Sequence, residues 1–328
     1  MVTRIPQPPV IETTGLRKTF KARKSTVEAV RGVDLTVSGG EIFGFLGPNG
    51  AGKTTTLRLL ATLLTPTSGE AIVAGVDLLR EPTRLRERIG YVPQGGSTDP
   101  GMTGRGELVM QGRLYGMNRG QAEKRAAELL AAFDLESAAD RRTGTYSGGM
   151  RRRLDVALGM VHQPVVLFLD EPTTGLDPQA RARMWDEVRR LRETGTTVFL
   201  TTHYLEEADA LADHLAIIDH GRIVAEGTAD ELKRQVAGDV ITLGVDGARE
   251  RVLQLVEAQP YVREASAEDE LVRLYVDRGD AVVPSLLRLL DSAGLSPQTI
   301  TVSRPSLDDV FLRQTGRSLR DDEAAAAA

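Results

Sequence analysis

Eight consecutive residues, Gly47-Pro-Asn-Gly-Ala-Gly-Lys-Thr54, match G-x-x-x-x-G-K-[ST] in full and directly follow the apolar run Ile42-Phe-Gly-Phe-Leu46. No other stretch constrains the fold as tightly. An unbroken apolar run has the pattern of a parallel strand buried on both faces. The glycines let successive backbone N–H groups curl around a phosphate, and a helix starting there adds its dipole. The spacing predicts that helix from about Gly52 to Leu64, ended by Thr65-Pro66. Strand, glycine-rich loop and helix in this order imply a doubly wound α/β sheet with its site at the carboxyl ends of the strands. The candidate phosphate cradle is Gly47, Pro48, Asn49, Gly50, Ala51, Gly52, Lys53, Thr54 and Thr55. Lys53 is placed to reach the β- and γ-phosphates, and the Thr54 hydroxyl to ligate Mg²⁺.

The sequence on either side sets the organisation. Residues near 10 to 45 alternate, as in Val33-Asp-Leu-Thr-Val37, and read as antiparallel strands. From Lys53 to Asp170 is 117 residues, far beyond the dozen or so that a strand-to-strand crossover needs. The excess, about 95–160, is rich in Ala, Leu, Glu and Arg and reads as a helical insertion. Parallel-strand patterns resume at Val165–Leu169, Thr197–Thr201 and Leu215–Ile218. The nucleotide-binding domain is therefore expected over 8–232. Beyond it, 238–316 shows the order β-α-β-β-α-β, which predicts a small ferredoxin-like α+β domain. Residues 317–328, charged and then all alanine, read as a disordered tail.

Paired acids carry the next signal. Asp170 and Glu171 close the run Val165–Leu169, at a strand end where open α/β sheets place their sites. Asp170 is the candidate Mg²⁺ ligand and Glu171 the candidate general base. His203 follows Thr197–Thr202 at another strand end, within reach of a γ-phosphate. Phe20 can stack on adenine or fill the core, and Gln94 is either a solvated amide or a metal and water ligand. Asp177-Pro178 is a good helix N-cap and first-turn pair, whatever else Asp177 does. Ser147-Gly148-Gly149 alone is a turn. Arg151-Arg-Arg153 reads as a solvated helix face.

Taken in order, Phe20, Gly47–Thr54, Gln94, Ser147–Gly149, Leu167–Glu171, Asp177 and His203 resemble the motif set of the ATP-binding-cassette (ABC) ATPases across about residues 10–230. More narrowly, Tyr146–Asp155, Asp170–Asp177 and Leu307-Asp-Asp-Val-Phe-Leu312 look like the daunorubicin-resistance branch of drug exporters, which carries an appended C-terminal domain. Tyr146 and Met150 stand where leucine and glutamine are commonest, and Gly175 where many relatives have alanine. Ser147 and both glycines are intact, so their function should survive. The resemblance implies a P-loop ABC core with ATP and Mg²⁺. It also implies two copies that sandwich two ATPs head to tail, each between the phosphate loop of one copy and Ser147 of the other. Asp177 then contacts the dimer seam, and Gln94 with the helical insertion passes motion to a membrane subunit. The implied activity is ATP hydrolysis that drives export of amphipathic drugs or lipid-like metabolites.

Bulk properties agree. The net charge of -5 is spread over both signs, so no basic face points to nucleic acid. The chain has no cysteine, which fits a reducing compartment. Its start lacks a secretion-signal core, and no apolar run approaches the roughly 20 residues that span a bilayer. The expected place is the cytoplasm, peripheral on the inner face of the membrane, beside a separate permease subunit. The alternative is a non-transport ABC ATPase acting on ribosomes or DNA. Against it, the chain shows one phosphate loop and no sustained heptads. No Asn/Thr-Lys-x-Asp guanine-reading motif occurs either.

Overall fold

The computed structural model describes residues 8–22, 25–236, 238–268, 270–316 and 318. Apart from Ser318, the expected tail at 317–328 lies outside the described residues. The chain divides into two compact units, one ending at Thr228 and the other starting at Ala229. That division falls a few residues before the expected break after 232.

The first unit begins with β1 (Pro9–Ala22) and β2 (Ser25–Ser38), then β3 (Ile42–Leu46), α1 (Lys53–Leu60), β4 (Ser68–Val73), β5 (Val76–Asp77), α2 (Pro82–Arg86) and β6 (Ile89–Val92). Helices α3 (Gly104–Leu114), α4 (Arg119–Ala132) and α5 (Gly148–Gly159) form the insertion. Then come β7 (Val166–Asp170), α6 (Pro178–Glu193), β8 (Thr197–Thr202), α7 (Leu205–Leu211), β9 (His214–Asp219) and β10 (Arg222–Gly227). An antiparallel sheet in the order β2-β1-β4-β5 lies beside a six-stranded sheet in the order β10-β9-β3-β8-β7-β6. In the larger sheet β3, β6, β7, β8 and β9 are parallel, and only β10 runs the other way.

Burial follows the apolar pattern. Every residue of β3, β7 and β8 is buried. One face of the sheet carries a cluster of aromatic rings around Phe199, whose centroid lies 5.5 Å from Phe43 and Phe45 and 5.7 Å from Phe168. The expected helix after the phosphate loop stops at Leu60, short of Leu64, because Thr62 turns into the left-handed region with φ of 61°. The insertion owes its helices to good N-caps: Thr103 for α3, Asn118 in a capping box for α4 and Ser147 for α5.

The second unit holds α8 (Ala229–Gln235), β11 (Asp239–Gly244), α9 (Arg249–Glu257), β12 (Val262–Glu268), β13 (Leu271–Val276), α10 (Gly279–Ser292), β14 (Thr299–Ser303) and α11 (Leu307–Thr315). Its sheet, ordered β12-β13-β11-β14 and antiparallel throughout, is the ferredoxin-like arrangement expected from the sequence. Helices α8 and α11 pack on each other and are additions to that plan. Ser306 and Asp309 cap α11 reciprocally, the Asp309 carboxylate accepting from Ser306 N at 2.8 Å and from its hydroxyl at 2.6 Å. Tyr275 donates to Asp309 at 3.3 Å, and Arg273 lies 3.7 Å from Asp308. The Leu307–Leu312 motif thus buries its acids within its own unit.

Removing the ring at the centre of the aromatic cluster tests the core. Phe199→Ala is expected to destabilise the first unit by about 3–5 kcal/mol, read as a lower denaturant midpoint for that unit's transition. A loss below about 1 kcal/mol would show that the cluster is not what holds the sheet.

Candidate functional site

The phosphate loop is glycine-rich for steric reasons. A Cβ at Gly47 would fall on the Ile218 carbonyl and one at Gly52 on the Ala29 carbonyl, and Gly52 also holds φ of 107°. Gly52 is the N-cap of α1 and offers no side chain to its first-turn N–H groups. Those donors are available to an anion, which the helix dipole favours there. The buried Lys53 side chain folds back into the loop. Its Nζ donates to Gly47 O at 2.7 Å and Pro48 O at 3.0 Å and lies 3.3 Å from Glu171 Oε1.

Both strand-end acids meet this loop. Asp170 Oδ1 accepts from the Thr54 hydroxyl at 2.9 Å and the Thr201 hydroxyl at 2.8 Å. Its Oδ2 is buried and carries no hydrogen bond. An orphaned carboxylate oxygen costs free energy unless a donor or a cation meets it. Together with the Thr54 hydroxyl and the nearby Gln94 amide, it makes a hard oxygen donor set that suits Mg²⁺. Glu171 Oε2 accepts from Gln94 Nε2 at 2.8 Å and the Thr174 hydroxyl at 3.2 Å. His203 Nδ1 stands 3.2 Å from the same oxygen, without hydrogen-bond alignment. Burial pushes the Glu171 carboxyl up, but His203 and Lys53 outweigh it and hold the group at about 2. The Glu171 backbone is left-handed, with φ of 44°, a strained state for a residue with a Cβ.

A second cluster lies elsewhere on the same unit. Ser147 caps α5, its hydroxyl accepting from Met150 N at 3.2 Å, and Gly148 and Gly149 form the first turn. Asp177 caps α6, accepting from Ala180 N at 2.8 Å, with Pro178 next. Ser147, Gly148, Gly149, Asp177 and Ala180 line a cavity of about 260 Å³ that includes Arg153 and Arg183. The phosphate-loop cavity, about 270 Å³, is lined by Asn49, Gly50, Lys53, Thr54, Thr55, Gln94 and Glu171 among others. The two linings share no residue. Phe20 lies on β1, is 41% exposed, and lines neither cavity, with Lys18 Nζ 5.2 Å from its ring.

Sequence reasoning passed over three polar residues in the first unit. Thr201 holds both acids, donating to Asp170 and accepting from Glu171 N at 3.0 Å. The buried Glu207 accepts from the Thr173 hydroxyl at 2.8 Å and Trp185 Nε1 at 3.1 Å. Arg152, expected on a solvated face, is buried and donates to carbonyls around Glu171. Helical spacing was the available signal for it, since Arg152 shares a face with the buried Asp155 and Val156.

A family model described as ABC transporter matches residues 30–174, and one described as ATP-binding protein DrrA1-3-like, C-terminal domain, matches residues 227–315. The Daunorubicin resistance ATP-binding protein DrrA2 of Streptomyces coeruleorubidus is 47% identical over 94% of this chain and 97% of its own length. This chain belongs to the ABC transporter ATP-binding proteins, in their daunorubicin-resistance branch. The Nod factor export ATP-binding protein I of Burkholderia lata is 41% identical over 89% of this chain and 93% of that protein. A solved ATP-binding cassette, dimeric in a post-hydrolysis state and bound to ADP and phosphate, superposes with a TM-score of 0.62. It is 26% identical and covers 66% of this chain and 98% of its own. The chain is thus an ABC ATPase.

Glu171→Gln removes the candidate base and leaves the loop intact. ATP hydrolysis is expected to fall by about 10²–10⁴-fold with nucleotide affinity little changed, read by phosphate release and equilibrium binding. Turnover within tenfold of wild type would exclude Glu171 as base. Because Glu171 is held at about 2 against its ordinary 4.5, its pairing stabilises the fold above pH 4.5 and is lost as the pH falls towards 2. In that window Glu171→Gln should lose less stability than wild type, measured as denaturant midpoint against pH.

Proposed function

We propose that this chain is the ATPase subunit of an exporter, powering efflux of amphipathic drugs or lipid-like metabolites through a separate membrane subunit. The observation that carries the reading is the division of the site between two cavities with no residue in common. Within one copy, Ser147–Gly149 and Asp177 lie outside the lining of the phosphate-loop cavity. Facing the Gly47–Thr55 loop of a second copy head to tail, they supply helix N-termini to the far side of its nucleotide. The names of the daunorubicin-resistance and Nod factor export relatives support export as the direction. Phe20, exposed on β1, would stack on the adenine.

The residues then divide the work. An entering γ-phosphate competes for Lys53, which now rests on Glu171 and two loop carbonyls. As Lys53 turns to the phosphate, Glu171 loses one of the charges that hold its carboxyl low, and it becomes a better base for the attacking water. His203 and Gln94 keep that carboxylate oriented. Asp170, Thr54 and Gln94 would hold Mg²⁺, which when bound offsets the charge on the phosphate oxygens. ATP stabilises the closed dimer over the open one and so shifts the population towards it. A groove of about 420 Å³ beside the Gln94 loop, lined by Tyr91, Pro93, Met110 and Tyr115, supports contact there with the membrane subunit. That contact would keep the chain peripheral on the cytoplasmic face.

Inside-out vesicles carrying this chain and its membrane subunit should accumulate daunorubicin when ATP is added. Ser147→Arg should abolish that uptake and the ATPase, while the monomer still binds ATP. A single copy that turns over ATP at the full rate, or co-purification with ribosomes and no membrane protein, would overturn the reading.

A further inference from the structure

Arg152 lies on α5, five residues beyond Ser147, and is 7% exposed. Its guanidinium donates to four peptide carbonyls: Nε to Pro172 at 2.8 Å, Nη1 to Pro93 at 2.6 Å, and Nη2 to Asp170 at 2.9 Å and Glu171 at 3.3 Å. Burying a charge is costly, and for Arg152 burial outweighs the favourable Asp155, Asp170 and Glu207 carboxylates. If the site only needed filling, a methionine or leucine would do it more cheaply. What a guanidinium adds is a planar fork of donors in fixed directions. Here the fork grips the two segments that set the Glu171 carboxylate. Asp170 and Pro172 flank the left-handed Glu171 that carries it, and Pro93 immediately precedes Gln94, whose amide holds Glu171 Oε2.

The same helix begins at Ser147, its N-cap. A rigid path of little more than one turn therefore connects Ser147 to the backbone around Glu171. In the sandwich dimer proposed above, on which this inference rests, those two residues serve different nucleotides. Ser147 meets the ATP held by the partner's loop, whereas Glu171 works on the ATP of its own copy.

We propose that Arg152 is a positioning residue that ties the helix bearing Ser147 to the Glu171 turn, so that engaging one nucleotide sets the base acting on the other. A displacement of α5 by the partner's ATP carries the four carbonyls with it. Lysine does not replace this device, because a single ammonium centre cannot serve carbonyls arranged around a fork. The coupling makes hydrolysis cooperative in ATP.

The test is steady-state ATPase activity against ATP concentration for wild type, Arg152→Lys and Arg152→Gln, with ATP binding to the monomer measured alongside. Both variants should bind ATP within about threefold of wild type, lose kcat by about tenfold or more, and drop the Hill coefficient from above 1 to about 1. Wild-type kcat and cooperativity in both variants would overturn the proposal, as would a wild-type Hill coefficient of 1. ATP affinity that falls together with kcat would make Arg152 a prop of the fold instead. If Arg152→Gln does not fold, Arg152→Lys, which keeps the charge and the stem, is read by the same criteria. ATP-dependent dimerisation of Glu171→Gln is followed in parallel. Failure of that variant to dimerise sinks the sandwich itself, whereas a normal dimer with unaltered Arg152 variants sinks only the coupling.

Discussion

The structure depends most on how it keeps the Glu171 carboxylate charged at the buried end of β7. An isolated ionised acid in such a place would cost several kcal/mol and would take up a proton instead. Here Lys53 approaches Glu171 from the phosphate loop, His203 from the end of β8 and Gln94 from the loop after β6. Each partner comes from a different segment, so the charge on one side chain pins together loops far apart in sequence. The parallel sheet supplies the frame, and the acids decide where its loops converge.

In the proposed mechanism, that convergence would make nucleotide binding and the basicity of Glu171 depend on one shared group. Lys53 is occupied by protein groups that a phosphate can replace. Glu171 is held strongly acidic by His203 and by the same lysine that a bound phosphate would draw away. Competition for one ammonium group would then link binding to basicity. In the same unit, Glu207 ties Thr173, two residues past Glu171, to Trp185 on α6.

The legible parts of the sequence were those where neighbours in the chain are also neighbours in space. The phosphate loop acts through its own backbone, so its glycines announce it. The strands β3, β7, β8 and β9 are buried, and their apolar runs show it. The four strands and two helices of the ferredoxin-like unit were also readable, because each pattern alternates or repeats locally. Harder were features fixed by distant partners. Arg152 looks like its two neighbours in the chain and is distinguished only by carbonyls contributed by Pro93 and the turn after β7. Thr201 is one threonine of a strand, singled out by acids on the next strand. The edge strand β10, half-buried at most, and the short helix α8, with one buried residue, carry too little pattern of their own. The early end of α1 hangs on the left-handed Thr62, which no propensity would select.

The left-handed backbone at Glu171 has an evolutionary consequence. Branched side chains are the least able to adopt φ of 44°, so valine, isoleucine or threonine at this position would break the turn as well as remove the acid. Aspartate and asparagine tolerate that region better than most residues. A lineage retuning or silencing one cassette would find a short acid or amide within easy reach. The geometry of a single peptide unit therefore narrows the paths by which such an enzyme can decay, and the mark of that decay should be a small polar residue in a turn that is otherwise preserved.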